Sequence, residues 1–179
     1  LNGEVAAGRI RYFGARNWRP SRIEEANAEA AASGGKWMGF VASQPEFGLA
    51  EPNAAETAVD PAMRFLRAAD IAWHERTQFP ALCYSPTAQG YFATHGREGA
   101  KAYDNPVSRG RLGRVEVLAG RRGCSPAQIA LAWVRRQRFP AIPILGTSDP
   151  EHLKESLAAA AIALTEEEMR LLSGDQCGA

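Results

Sequence analysis

A strand-then-helix beat repeats four times along this chain, and it constrains the fold more than any other feature. Each beat opens with a short apolar or β-rich run and passes into a longer segment suited to a helix. Residues 9–15 (R-I-R-Y-F-G-A) form the first β-rich run; Pro20 then opens a helix reaching about residue 33, with Ile23, Ala26, Ala30 and Ala31 on one face before Gly34 and Gly35 stop it. Residues 40–43 read as a second, buried strand. A loop rich in Pro, Asn and Ala leads from it into a helix over residues 61–77, with Met63, Leu66, Ala69, Ile71 and Trp73 as its apolar positions. The third strand covers 81–84, entered from Pro80 and left at Pro86, and a long loop runs on to about Val107. A helix over 109–121 follows. Ser125 then caps another, with Pro126 in its first turn, Gln128 closing a capping box, and Ile129, Trp133 and Val134 as its apolar stripe. The fourth strand is 141–145, after which Asp149 and Pro150 open a helix carrying Leu153 and Leu157. Thr165 with Glu168 caps a short last helix.

Strands that are nearly continuous apolar runs are expected in a parallel sheet covered on both faces, with right-handed crossovers. Four such units make either an open doubly wound sheet or half of an eight-stranded barrel. A whole barrel needs roughly 250 residues, and this chain has 179. Pattern alone leaves both architectures open.

Bulk properties exclude several classes of function. Hydrophobic residues make up 45% and charged residues 23%, as in ordinary globular domains. A net charge of +1 supplies no field that would draw the chain to nucleic acid or to an anionic membrane. No apolar run approaches the roughly 18 residues of a membrane span. Cys83, Cys124 and Cys177 are far apart and odd in number, so neither a disulfide framework nor a metal site is expected, and a reducing cytoplasm is the default setting. The first residue is Leu1, not Met, and the start reads as an internal cut or a processed end.

Four passages carry a family resemblance: F-G-A-R-N-W at 13–18, V-A-S-Q-P-E-F-G-L-A at 41–50, C-Y-S-P-T-A-Q-G-Y-F at 83–92, and I-P-I-L-G-T-S-D-P-E-H-L-K-E-S-L at 142–157. In order and spacing they resemble the fifth to eighth strands, with their following loops, of the aldo-keto reductases. These are (β/α)8 barrels of the TIM type, in which sites form at the C-terminal ends of the strands. The resemblance implies an α/β fold in which residues 1–179 hold about the C-terminal half of the barrel, four βα units.

The resemblance also implies a site for NADP, with NAD the alternative form. Asn17 matches the family's Asn that grips the nicotinamide carboxamide, while its Ser partner is replaced here by Arg16. Gln44 matches the glutamine completing that grip, and Tyr84 the aromatic residue on which the nicotinamide stacks. Ser85, Ala88 and Gln89 fall in the pyrophosphate loop, with Gly90 allowing close approach; Thr87 and Gln89 stand where many relatives carry Leu and Arg. Gly146, Thr147 and Ser148 match the segment around the adenosine 2′-phosphate, and His152, Glu155 and Ser156 the positions that touch adenine and its phosphate. The family's catalytic Tyr, Lys, Asp and His belong to its first four strands, so no catalytic residue and no metal ligand is expected within this chain.

The implied activity is reduction of a small aldehyde or ketone, or oxidation of an alcohol, by an oxidoreductase of which this chain is the cofactor-binding half. Its implied partner is a missing N-terminal half-barrel or a second copy. The competing readings are a truncated, non-catalytic nucleotide-binding or regulatory module and a self-associating half-barrel. Other features have plainer readings. His74 and His95 are expected to be solvated, Arg16 to lie at the surface or in a salt bridge, the arginines of 109–122 to form a solvated helix face, and Trp18, Trp37, Trp73 and Trp133 to pack.

Overall fold

The computed structural model describes residues 1–53 and 64–174. The elements run α1 (Asn2–Ala6), β1 (Ala15–Arg16), α2 (Pro20–Ala32), β2 (Ser43–Gln44), α3 (Ala68–Thr77), β3 (Ala81–Cys83), α4 (Ala100–Tyr103), α5 (Pro106–Arg122), α6 (Pro126–Arg135), β4 (Ala141–Pro143), α7 (Pro150–Ala158), a 3-10 turn at Ala159–Ala161, and α8 (Glu166–Ser173). The four strands are parallel and lie in chain order, β1-β2-β3-β4, among the described residues. That order is consistent with a fragment of a barrel wall. A doubly wound sheet reverses direction at a switch point, whereas strands laid down in sequence by crossovers of one hand put all their helices on one face, as in a barrel wall.

Side-chain burial agrees with a one-sided sheet. Ala81 and Cys83 are buried on the side of the main core, with Val115 of α5 and Ile129 of α6 also enclosed in it. Their neighbours in the pleat point the other way. Leu82 pairs with Ile142, and Ile142 is 49% exposed. The expectation of strands covered on both faces therefore fails: one face of this sheet packs on helices and the other is open.

The strands are also shorter than the sequence suggests. Only backbone that meets a neighbour can form a ladder, and pairing of the first run begins at its end: Val41 N–H donates to Phe13 O (3.1 Å), Ala15 N–H to Ala42 O (3.0 Å) and Asn17 N–H to Gln44 O (3.2 Å). Residues 9–14 and 40–42 lie outside the strands, and β4 stops at Pro143, two residues before the expected end. Gly14 is required at this junction, because a Cβ there would stand 2.7 Å from the Ala42 carbonyl oxygen.

Helix starts are corrected in two places. Residues 64–67 are extended, not helical, because Glu46 N–H donates to Arg64 O and Leu66 N–H donates to Glu46 O, both near 3.0 Å (2.9 and 3.0 Å). The Asp70 carboxylate accepts from Arg67 N–H (3.1 Å) at the true start of α3. Residues 61–63, including Met63, lie outside the described residues. α5 begins at Pro106, not at residue 109, because the Asn105 side chain accepts from Ser108 N–H at 2.9 Å. The long loop before it contains α4. Both expected capping boxes form: Ser125 with Gln128 and Thr165 with Glu168. α6 buries six consecutive residues, 129–134, rather than the expected stripe, since it is wedged among α5, α7 and β4.

His74 is buried, against the expectation of a solvated ring; it is 1% exposed. It ties α3 to β2 and to the segment entering β3: Nδ1 lies 2.6 Å from Phe79 O and Nε2 lies 3.3 Å from Ser43 Oγ, while the ring stacks on Phe139. Its neighbour Trp73 packs in a second cluster with Ile23 and Ala15 and donates Nε1–H to Glu24 (2.6 Å). Trp133 is buried as expected, but Trp37 is 56% exposed and so does not pack as expected. No helix among the described residues is long and apolar enough to cross a membrane.

Burial lowers the His74 pKa below its ordinary 6.5, opposed by the Phe79 carbonyl and by Asp70. The native ring therefore resists a proton that the unfolded chain accepts. The stability this ring contributes is fully present above about pH 6.5 and is lost as pH falls below it, by up to about 1.4 kcal/mol per pH unit. Urea denaturation of the wild type and of His74→Gln between about pH 7.5 and 5.5 will show this component in the wild type alone.

Candidate functional site

Parallel strands end on one side of a sheet, and the C-terminal ends of β1 to β4 deliver Asn17, Gln44, Tyr84 and Gly146 to one edge. Asn17 has φ 58°, a left-handed conformation that Asn tolerates better than most residues. It reaches across β2: Tyr84 O–H donates to Asn17 Oδ1 at 3.0 Å. The Arg16 guanidinium lies 5.1 Å from the centre of the Tyr84 ring, so this residue is exposed but engaged in a cation–π contact. Burial raises the Tyr84 pKa, with the Glu46 charge adding to the effect and Arg16 opposing it, which keeps the phenol neutral.

One crevice opens beside Tyr84. Its inner part, about 360 Å3, is lined by Tyr84, Ser85, Gln89, Gly146, Thr147 and Ser156 among others. It continues over Gln89, Gly146, Thr147 and Ser156 into an outer part of about 520 Å3, which adds His152 and Glu155. Eight of the twelve residues picked out from the sequence thus share one crevice. The other four do not line it. Ala88 is buried in the core, Ser148 is exposed beyond the wall, and Asn17 and Gln44 lie at the strand ends outside it, with Asn17 joined through its bond to Tyr84.

The loop after β3 has an unusual backbone. Ser85 (φ 52°), Ala88 (φ 54°), Gln89 (φ 52°) and Gly90 (φ 86°) are all left-handed, which costs each of the non-glycine residues about 1–2 kcal/mol. Such strain persists where the surroundings over-determine it, commonly at ligand sites. Consecutive residues turned in this way also make amide concavities that suit anions.

Behind Tyr84 lies a buried pair that sequence reasoning missed. Tyr103 O–H donates to Glu46 Oε1, while Glu46 Oε2 has no partner among the described residues. Burial pushes the Glu46 pKa up, against the Tyr103 hydrogen bond and the Arg67 charge. The Tyr103 pKa is likewise raised, first by burial and then by Glu46. The signal was present: a carboxylate inside the run P-E-F-G-L-A must find a partner if the run is buried.

Other reactive groups are held quiet. The Cys83 thiol is pushed up to about 12 by burial, and Cys124 is raised for the same reason. Cys177 lies outside the described residues. His95 is exposed, in line with expectation, and pairs with Glu116 at 2.7 Å. Among the described residues, no group of three or more His, Cys, Asp and Glu is placed to hold a metal ion.

Comparison with known proteins places this arrangement in a family. The model of the aldo/keto reductase family matches residues 1–174, and the chain belongs to that family. It is 30% identical over 177 residues to the uncharacterized oxidoreductase YrpG of Bacillus subtilis (strain 168), covering 95% of this chain and 50% of the relative. It is 31% identical over 102 residues to "Probable aldo-keto reductase 1" of Glycine max, covering 49% of this chain and 29% of that protein. Thus the chain spans no more than about half the length of these relatives. Among solved structures, a thermostable aldo-keto reductase in complex with the inhibitor epalrestat matches with a TM-score of 0.65 at 24% identity, over 96% of this chain and 51% of that one. That likeness is one of fold.

The Glu46–Tyr103 pair anchors the end of the loop that forms the crevice wall. Tyr103→Phe leaves a second Glu46 oxygen without a donor, and chemical denaturation is expected to show a loss of about 1–3 kcal/mol.

Proposed function

We propose that this chain is the cofactor-binding half of a nicotinamide-dependent aldo-keto reductase, a half-barrel that works in reduction of a small aldehyde or ketone or in oxidation of an alcohol. The observation that carries the reading is the crevice beside Tyr84, built from loops at the C-terminal ends of parallel strands. Tyr84, steadied by Asn17, offers an aromatic surface at one end, the left-handed loop at Gln89 and Gly90 lines the crevice midway, and the start of α7 closes the other. The family resemblance carries NADP as the expected form and NAD as the alternative. When bound, the dinucleotide supplies or accepts the hydride. This chain's own residues bind it, orient its ring against Tyr84 and wall off one side from water.

A proton donor is the second requirement of carbonyl reduction, and the tyrosines here are engaged elsewhere. Tyr84 bonds to Asn17, Tyr91 to Asp104 (3.1 Å) and Tyr103 to Glu46, while Tyr12 is an exposed residue ahead of β1. We therefore assign the acid to a complementary half-barrel of different sequence, seated on the open sheet face where Ile142 is exposed. We place its action in a reducing cytoplasm, where free Cys83 and Cys124 stay thiols.

Two measurements test the reading. Titration of nicotinamide dinucleotide, followed by its fluorescence, is expected to give a dissociation constant roughly tenfold weaker in Tyr84→Ala and nearly unchanged in His95→Ala; equal effects from the two would remove Tyr84 from the site. Light scattering after size-exclusion chromatography should find the isolated chain self-associated, and a cooperative monomer would sink the half-barrel.

A further inference from the structure

The two ends of the crevice differ in charge. Beside Tyr84 the lining residues are neutral, with the Arg16 guanidinium 5.1 Å from the ring centre, whereas the outer end carries the carboxylates of Glu98 and Glu155 and, among the described residues lining it, no lysine or arginine. Glu98 leans over the loop: a Cβ on Gly90 would meet its Oε2 at 2.6 Å. The Glu155 main-chain carbonyl accepts from Gln128 Nε2 at 2.9 Å. Two cations next in chain to its lining residues are themselves outside the lining: Lys154 lies 3.8 Å from Glu151, and Arg97 donates to the Thr94 carbonyl at 3.1 Å.

The start of α7 offers little to a further anion. Pro150 has no N–H. Glu151 N–H is held by Asp149 Oδ1 at 2.8 Å, and Asp149 N–H by Thr147 Oγ1 at 3.1 Å. A carboxylate of the chain itself thus takes the position in which a helix start would receive a ligand's phosphate. His152, on the same turn, has Nδ1 3.8 Å from Asp149 Oδ2.

Resting on the dinucleotide reading above, we infer that the outer crevice receives an adenosine ribose with a free 2′-hydroxyl, so that the chain selects NAD(H) over NADP(H), with Glu155 and Glu98 as the specificity-determining side chains. A ribose diol donates hydrogen bonds that a carboxylate accepts. A 2′-phosphate carries about −1.5 to −2 charge and brings no donor; against two carboxylates it is repelled. The crevice is open to solvent, so screening limits the discrimination without abolishing it.

The test is a pair of fluorescence titrations of the full chain, one with NADH and one with NADPH. NADH is expected to bind at least about tenfold more tightly. Glu155→Arg should narrow or invert that ratio, and Glu98→Gln should narrow it less. Tyr84→Ala should weaken both titrations alike and leave the ratio standing. If NADPH binds as well as or better than NADH in the wild type, or if the ratio is unmoved by both Glu155→Arg and Glu98→Gln, the selectivity is overturned while the dinucleotide reading survives. If neither binds, both fall. Glu98→Gln keeps the shape of its side chain, so the test does not hang on the folding of the arginine variant.

Discussion

The hydrogen-bond ladder between four parallel strands is the constraint on which every other feature depends. Ser43 N–H donates to Pro80 O and Ala81 N–H to Pro140 O, both at 2.9 Å, so β2, β3 and β4 are aligned by prolines that end their preceding turns and cannot donate themselves. Alignment of the starts aligns the ends. Were the register to slip by one residue, Leu82 and Ile142 would exchange faces with Ala81 and Ala141, and large side chains would enter a core sized for alanine and cysteine.

The sheet is held against its helices by two unlike contacts. On one flank, α6 is enclosed on all sides, and its burial is sequence-encoded by six consecutive apolar residues. On the other flank, His74 makes polar bonds with the chain on both sides of β3's entry, to Ser43 Oγ and to Phe79 O. A neutral imidazole satisfies both only because one nitrogen donates and the other accepts, so burial and bonding fix a single tautomer together. The open face of the sheet, where Ile142 is exposed, has no such partner among the described residues.

Legibility varied with the range of the interactions involved. Capping boxes at Ser125 and Thr165 were readable because donor and acceptor lie three residues apart. The start of α3 was not, since residues 64–67 are drawn into extended pairing by Glu46, about twenty residues away in the chain, and helical spacing carries no record of that pull. The site shows the same division. Tyr84, Ser85, Gln89, Gly146, Thr147, His152, Glu155 and Ser156 were identified from their motifs and are found along one crevice. Ala88 was assigned to the site from its place in the loop, yet the left-handed turn rotates it into the core. Glu46 and Tyr103 were passed over, because nothing local pairs a carboxylate with a phenol across 57 residues.

By itself the sequence determined the alternation of strands and helices, the caps, and the family motifs with their order. These rest on short-range propensity, spacing and side-chain chemistry. Only the tertiary structure decided that the strands run in chain order with one face open, that His74 is buried, that Asn17 and Tyr84 bond, and that carboxylates rather than cations stand at the outer crevice. Each of these depends on which backbone edges meet, and that pairing is settled by long-range hydrogen bonding and packing that no window of sequence contains.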